Sequence, residues 1–125
     1  LAKNYHDGRK EEVERLFISC RSVLDNMSSV FFERDDLLRS QGNMTVYFLL
    51  FRDAESKGEL NKIVRGKFLK FLDKLKNNRI SAAEDYENSI FYLLEYDRLT
   101  QQGTNDSSNI KERLLIIKNE FEVSL

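Results

Sequence analysis

Not one proline interrupts the 125 residues, so no position forbids the chain from running as long helices. Over most of its length apolar side chains recur at three- and four-residue steps, the spacing that gathers them on one face of a helix. Together these features point to packed helices. Four glycines (Gly8, Gly42, Gly58 and Gly103) fall between the periodic segments, where glycine ends one element and admits the next. The pieces they delimit show no repeat, no low-complexity tract and no domain boundary, and 125 residues suit one domain.

The first piece is the clearest. Val13, Leu16, Phe17, Cys20, Val23, Leu24, Met27, Val30 and Phe31 form one stripe, with Glu11, Glu14, Arg15, Arg21 and Asp25 on the other face. Cys20 lies mid-stripe, which predicts a buried, unreactive thiol. Residues 44–56 are apolar on every side, through Met44, Val46, Tyr47, Phe48, Leu49, Leu50 and Phe51, and predict a central buried helix with Asn43 as its N-cap. Six such residues would also suit a strand, but the pattern runs on through Arg52-Asp-Ala-Glu55 and no partner strand exists.

A third helix is expected over Glu59–Asn78, with Leu60, Val64, Phe68, Phe71, Leu72 and Leu75 inward. The fourth, about Ala83–Thr100, buries Tyr86, Ile90, Leu93 and Leu94 and opens on Glu84, Asp85 and Glu87, as the helix dipole favours. The last begins near Asn109 and aligns Ile110, Leu114, Ile117 and Phe121, with Leu115 and Ile116 widening the apolar face. Asn109 and Glu112 have the spacing of a capping box, and Asp106, Ser107 and Ser108 offer alternative caps. The expected architecture is all-α, a single-domain bundle of about five helices around the central apolar helix, residues 44–56.

Composition narrows function mainly by exclusion. A net charge of −1 supplies no global field for nucleic acid or membrane, so such binding needs a local patch. The longest apolar run, Val46–Phe51, is far short of a bilayer span, and no secretory signal is visible. The single Cys20 cannot form an internal disulfide, which favours a reducing, cytoplasmic compartment. Without an initiator Met, and with a polar start at Leu1, the chain reads as a C-terminal fragment of a longer protein. His6 is the only histidine, so no His-rich metal site and no Ser/His/Asp triad can be assembled. No Arg precedes it, which excludes the helical ribonucleases built on Arg followed by His. No catalytic residue, metal or cofactor is expected in this segment.

Three features remain. Asp97 falls on the apolar stripe of the fourth helix, where a carboxylate needs paired charge or several donors. The expected partners are N–H groups of the Gln101–Ser108 loop, Arg113 or Arg39. From Asn61 to Arg79 there are seven Lys or Arg against one Asp, making Lys62, Arg65, Lys67, Lys70 and Lys74 candidate phosphate contacts. No aromatic residue is interleaved there for base stacking, and a solvated face paired with the acids of the fourth helix explains the same pattern. Finally, Ser40-Gln-Gly-Asn43 and Gln101-Gln-Gly-Thr-Asn105 both set Gln-Gly ahead of a cap residue. Helix N-termini bind anions, though ordinary capping explains these residues too. The candidate structural and interaction residues are therefore Arg39, Gln41, Gly42, Asn43, Asp97, Arg98, Gln101, Gln102, Gly103, Thr104, Asn105, Asp106 and Arg113.

Those loops also carry a family resemblance. Leu38-Arg-Ser-Gln-Gly followed by Val46-Tyr-Phe-Leu-Leu-Phe-Arg, and Tyr96-Asp-Arg-Leu-Thr-Gln-Gln-Gly-Thr-Asn-Asp followed by Ile110-Lys-Glu-Arg, resemble the C-terminal helical region of the bacterial ParB-like nuclease family of GmrSD type. The similarity spans roughly residues 10–122. It implies a prokaryotic restriction or phage-defence protein whose chemistry lies in an N-terminal domain, around an Asp-Gly-Gln type motif. Here Asp7-Gly8 is followed by Arg9, without a strand context, so no catalytic residue carries over. The resemblance thus implies an accessory domain that packs on the nuclease domain, contacts DNA or mediates assembly. The rival expectations are a helical interaction module unrelated to nucleases, whose partner covers an apolar patch, and an unrecognised helical hydrolase.

Overall fold

The computed structural model describes residues 2–39, 42–102 and 106–125, with side chains from Arg9 onward. Among them are five α-helices: α1 (Ala2–Ser28), α2 (Asn43–Ser56), α3 (Arg65–Glu84), α4 (Phe91–Gln101) and α5 (Ser107–Phe121). No strand occurs among the described residues, and single 3₁₀ turns occupy Asp36–Leu38, Leu60–Lys62 and Tyr86–Asn88. The all-α reading holds.

α2 is the central element its all-round apolarity predicts. Val46, Tyr47, Leu50, Phe51 and Ala54 are buried, Phe48 and Leu49 pack at the margin, and the helix lies against both α1 and α5. Phe68 of α3 reaches into this centre, its ring 5.0 Å from Phe31, 4.8 Å from Tyr47 and 4.8 Å from Phe121. Phe71 meets Tyr96 edge-on at 5.0 Å and attaches α4. Each fully buried side chain of this size contributes roughly 2–3 kcal/mol by leaving water, and such ring pairs add about 1 kcal/mol.

Helix boundaries depart from the periodicity where side chains capture backbone. Asn78, buried on α3, accepts a hydrogen bond from Ile90 N–H at 2.7 Å and donates to Ile90 C=O at 2.9 Å. That clamp holds residue 90 extended, so α4 starts at Phe91, and Tyr86 and Ile90 are exposed rather than in the core. On α4 the buried residues are Leu93, Tyr96 and Leu99. α3 starts only at Arg65, leaving Val64 as an extended, exposed N-cap residue, and continues past Asn78 to Glu84. Gly8 lies inside α1, and Leu115 faces outward. Asn43 is not the cap of α2: Gly42 takes that position at φ 81°, a conformation glycine tolerates, and Asn43 turns inward as the first helical residue. Asp106 is the cap of α5, accepting from Asn109 N–H at 2.9 Å.

α1 departs most. Its 27 residues span about 40 Å, whereas the 14 of α2 span about 21 Å. The body therefore runs out. Val23, Met27 and Phe31 join the core, but Val13, Leu16 and Phe17 are 55%, 61% and 70% exposed, and Leu24 and Cys20 are exposed as well. The expectation of a buried thiol is corrected: Cys20 lies on the part of the stripe that nothing covers.

One ion pair fastens the turn after α1 to the start of α3. Asp35 accepts from Phe32 N–H at 2.9 Å and Leu37 N–H at 3.1 Å, and both its oxygens meet the Arg65 guanidinium. Arg65 also lies 4.1 Å from the centre of the Phe32 ring and donates to Val30 C=O at 3.3 Å. The guanidinium holds the Asp35 carboxyl well below its ordinary value of 3.8. A depressed folded-state pKa contributes stability above about pH 4 that disappears as pH falls through the folded value. Arg65→Ala is expected to cost about 2 kcal/mol in urea unfolding at pH 7. The variant should also lose much of the acid-limb slope below pH 4; an unchanged slope would remove this pair as its source.

Candidate functional site

The deepest polar cluster joins the flanks of the two Gln-Gly connections. Arg113 of α5 is wholly buried, its Nη2 donating to Asn43 Oδ1 at 2.6 Å and its guanidinium 5.4 Å from the Tyr96 ring centre. Asn43 donates in turn to Leu37 C=O at 3.3 Å, and Asn109 donates to Leu99 C=O at 2.9 Å. Burial pushes the Tyr47 and Tyr96 hydroxyls upward, so both remain neutral beside the cation. The sequence marked Asn43 and Arg113 separately, and the fold brings them into contact. Gln41, Gly103, Thr104 and Asn105, singled out with them, lie outside the described residues. With no exposed surface, the Arg113 guanidinium serves the fold rather than a ligand.

The other marked residues are dispersed. Arg39 pairs with Asp36 on the surface at 3.1 Å, Arg98 pairs with Glu95 one turn earlier, and Gln101 and Gln102 are exposed at the end of α4. Asp97 is half-buried, and its partner is none of those expected: Arg79 of α3 grips it through Nε at 3.2 Å and Nη2 at 3.1 Å. The need for paired charge was legible from the stripe, but the choice of partner depended on how α3 lies beside α4.

The basic residues of α3 and its approach surround the carbonyl end of α5. Lys62 Nζ donates to Glu122 C=O at 2.7 Å, Lys67 Nζ reaches Phe121 C=O at 3.5 Å, and Lys74 pairs with Glu120 at 3.1 Å. From the end of α2, Lys57 Nζ donates to Ser124 C=O at 2.5 Å. Unsatisfied carbonyls and the negative end of the dipole attract such cations. Glu59 completes the clasp by accepting from Ser124 N–H at 3.0 Å and Lys62 at 3.1 Å, and the Ser124 side chain, together with these contacts, draws its carboxyl down to about 2. With Lys62, Arg65 and Lys74 paired to carboxylates, Lys67 and Lys70 are the candidate phosphate contacts whose ammonium groups make no ion pair among the described residues. Sequence reasoning saw a basic face but not this acceptor, although Glu120 and Glu122 beside a helix end were its signal.

A groove of about 850 Å³ runs along α3 beside residues 88–90 and the end of α5. Lys67, Lys70 and Lys74 alternate there with Asp73, Glu120 and Glu122, so neither sign dominates, and Glu120 is already shared by Lys74 and the Tyr92 hydroxyl. No group of His, Cys, Asp or Glu that could hold a metal ion occurs among the described residues. No helix among them is long and apolar enough to cross a membrane.

What remains unsatisfied is apolar. Val13, Leu16 and Phe17 form the outer half of the stripe, Leu24 is exposed beside its inner half, and Val23 and Met27 of that inner half are buried in the core. Scattered apolar residues on a surface are ordinary, whereas a contiguous line of large ones continuing a core seam marks an interaction surface. Compared with family models, curated proteins and solved structures, the chain matches none.

The Asn43–Arg113 contact can be measured directly. Asn43→Ala takes one acceptor from a buried guanidinium and is expected to cost about 2 kcal/mol. In a double-mutant cycle with Arg113→Met the coupling should exceed about 1 kcal/mol. Additive losses in chemical unfolding would show that the two groups do not act together.

Proposed function

We propose that this chain is a non-catalytic accessory module that docks through the outer half of α1. The observation that carries the reading is the apolar line Val13–Leu16–Phe17–Leu24, left uncovered on a helix whose base is anchored in the core. The polar clusters favour no reaction: the Arg113 group is sealed, the Asp35 and Asp97 carboxylates are held by arginines, and the lysines serve the end of α5. Phosphate binding is the weaker reading for that last reason. In a restriction or phage-defence protein of the ParB-like type, which the loop motifs resemble, such a module would join the nuclease unit to a partner or to another subunit. An interaction module outside that family would use the same surface.

A double substitution, Leu16→Asp with Phe17→Asp, tests the reading in dilute solution. The expected result is an unchanged urea midpoint together with weaker binding of a dye that reports exposed apolar surface. A loss of 3 kcal/mol or more, the order expected for core truncation, would show that the stripe packs on its own body and would overturn the proposal.

A further inference from the structure

We propose that the occupant of the α1 stripe is a second copy of this chain, its own α1 lying antiparallel across the first. The inference rests on the docking reading above and names the partner. Val13, Leu16 and Cys20, at steps of three and four residues, carry on outward from Val23 and Met27, which the core already covers, and leave a like helix the free part of a seam that packs knobs into holes. Small side chains at Val13 and Cys20 leave room beside Leu16 and Phe17, so the line offers both projections and recesses to a copy of itself.

Area supports a stable pair. The exposed parts of Val13, Leu16, Phe17 and Leu24 amount to on the order of 450 Å² of apolar surface, comparable to the largest patch on a typical monomer. Two copies supply roughly 900 Å², and the flanking stems of Lys10, Glu14 and Arg21 raise the total towards the ~1,200 Å² at which stable interfaces begin. Charge does not oppose it. Arg9, Lys10 and Arg15 are matched by Glu11, Glu12 and Glu14 on the same segment, so two copies do not repel. Direction follows from the base of the seam. α2 already packs against α1 there, with Val23 and Met27 in the shared core, so a parallel partner would drive its own body into this one. An antiparallel helix enters from the free end and continues the packing above α2.

Sedimentation equilibrium of the whole chain from about 1 to 200 µM, with Cys20 alkylation followed in parallel, tests the proposal. The expected result is a reversible shift to twice the monomer mass, with the thiol reacting more slowly as dimer accumulates. Leu16→Glu should weaken association at least tenfold and restore the thiol's rate. Mild oxidation should leave Cys20 unlinked, because antiparallel overlap of the free halves separates the two copies' Cys20 backbones by roughly 10 Å or more, beyond disulfide reach. A single monomer mass with a reactive thiol overturns the second copy as occupant while leaving the docking surface in place. A monomer whose Cys20 is unreactive and whose Leu16→Asp/Phe17→Asp variant unfolds earlier overturns both. A dimer insensitive to Leu16→Glu, or one rapidly cross-linked through Cys20, overturns the proposed pairing.

Discussion

Three helices and the segment that follows α1 meet at the ring of Phe68. It draws Phe31 from just after α1, Tyr47 and Phe51 from α2 and Phe121 from α5 into one aromatic cluster, and Phe71 extends that cluster to Tyr96 on α4. Because this cluster is compact and centred on α2, it sets how much of each helix can be buried. α2 and α5 fit within it. α1 is too long, and its apolar side chains beyond Ser22, from Val13 to Cys20, are exposed.

Polar contacts then fix how the helices are joined. Asp35 and Arg65 tie the turn after α1 to the start of α3, Asn43 and Arg113 tie the start of α2 to α5, and Asn78 decides where α4 begins. Each binds a segment distant in sequence, and each buried member would cost free energy if left without its partners, so together they select one arrangement from the many that a greasy bundle allows. Buried Lys118 with half-buried Asp53, 2.5 Å apart between α5 and α2, acts in the same way. Lysines around the end of α5 donate to the carbonyls of Phe121, Glu122 and Ser124 and hold the final residues, where Val123 is buried and Ser124 meets Glu59.

Periodicity made the fold class and the central place of α2 legible, because an apolar run with no strand to pair with has to be surrounded by helices. It failed where contact between distant residues decides the outcome. Nothing local to Ile90 announces a clamp from Asn78, and nothing local to Asp97 distinguishes Arg79 from Arg113. The stripe on α1 shows a deeper limit. A line of Val, Leu, Phe and Cys reads the same whether its own body or another molecule covers it, so Cys20 was expected inside and lies outside. Asn43 and Arg113 were picked out through the connections they flank, but their direct contact is a property of the packing.

Uneven satisfaction along α1 is therefore the centre of the functional account. A helix segment with one face apolar and no tertiary contact is marginal in water, and its stability has to come from whatever packs on that face. Amide hydrogen exchange along α1 at low and high protein concentration tests this most directly. The account predicts strong protection at residues 23–28 under both conditions, and protection at residues 9–20 that is weak when dilute and rises with concentration. Equal, concentration-independent protection along the whole helix would contradict it.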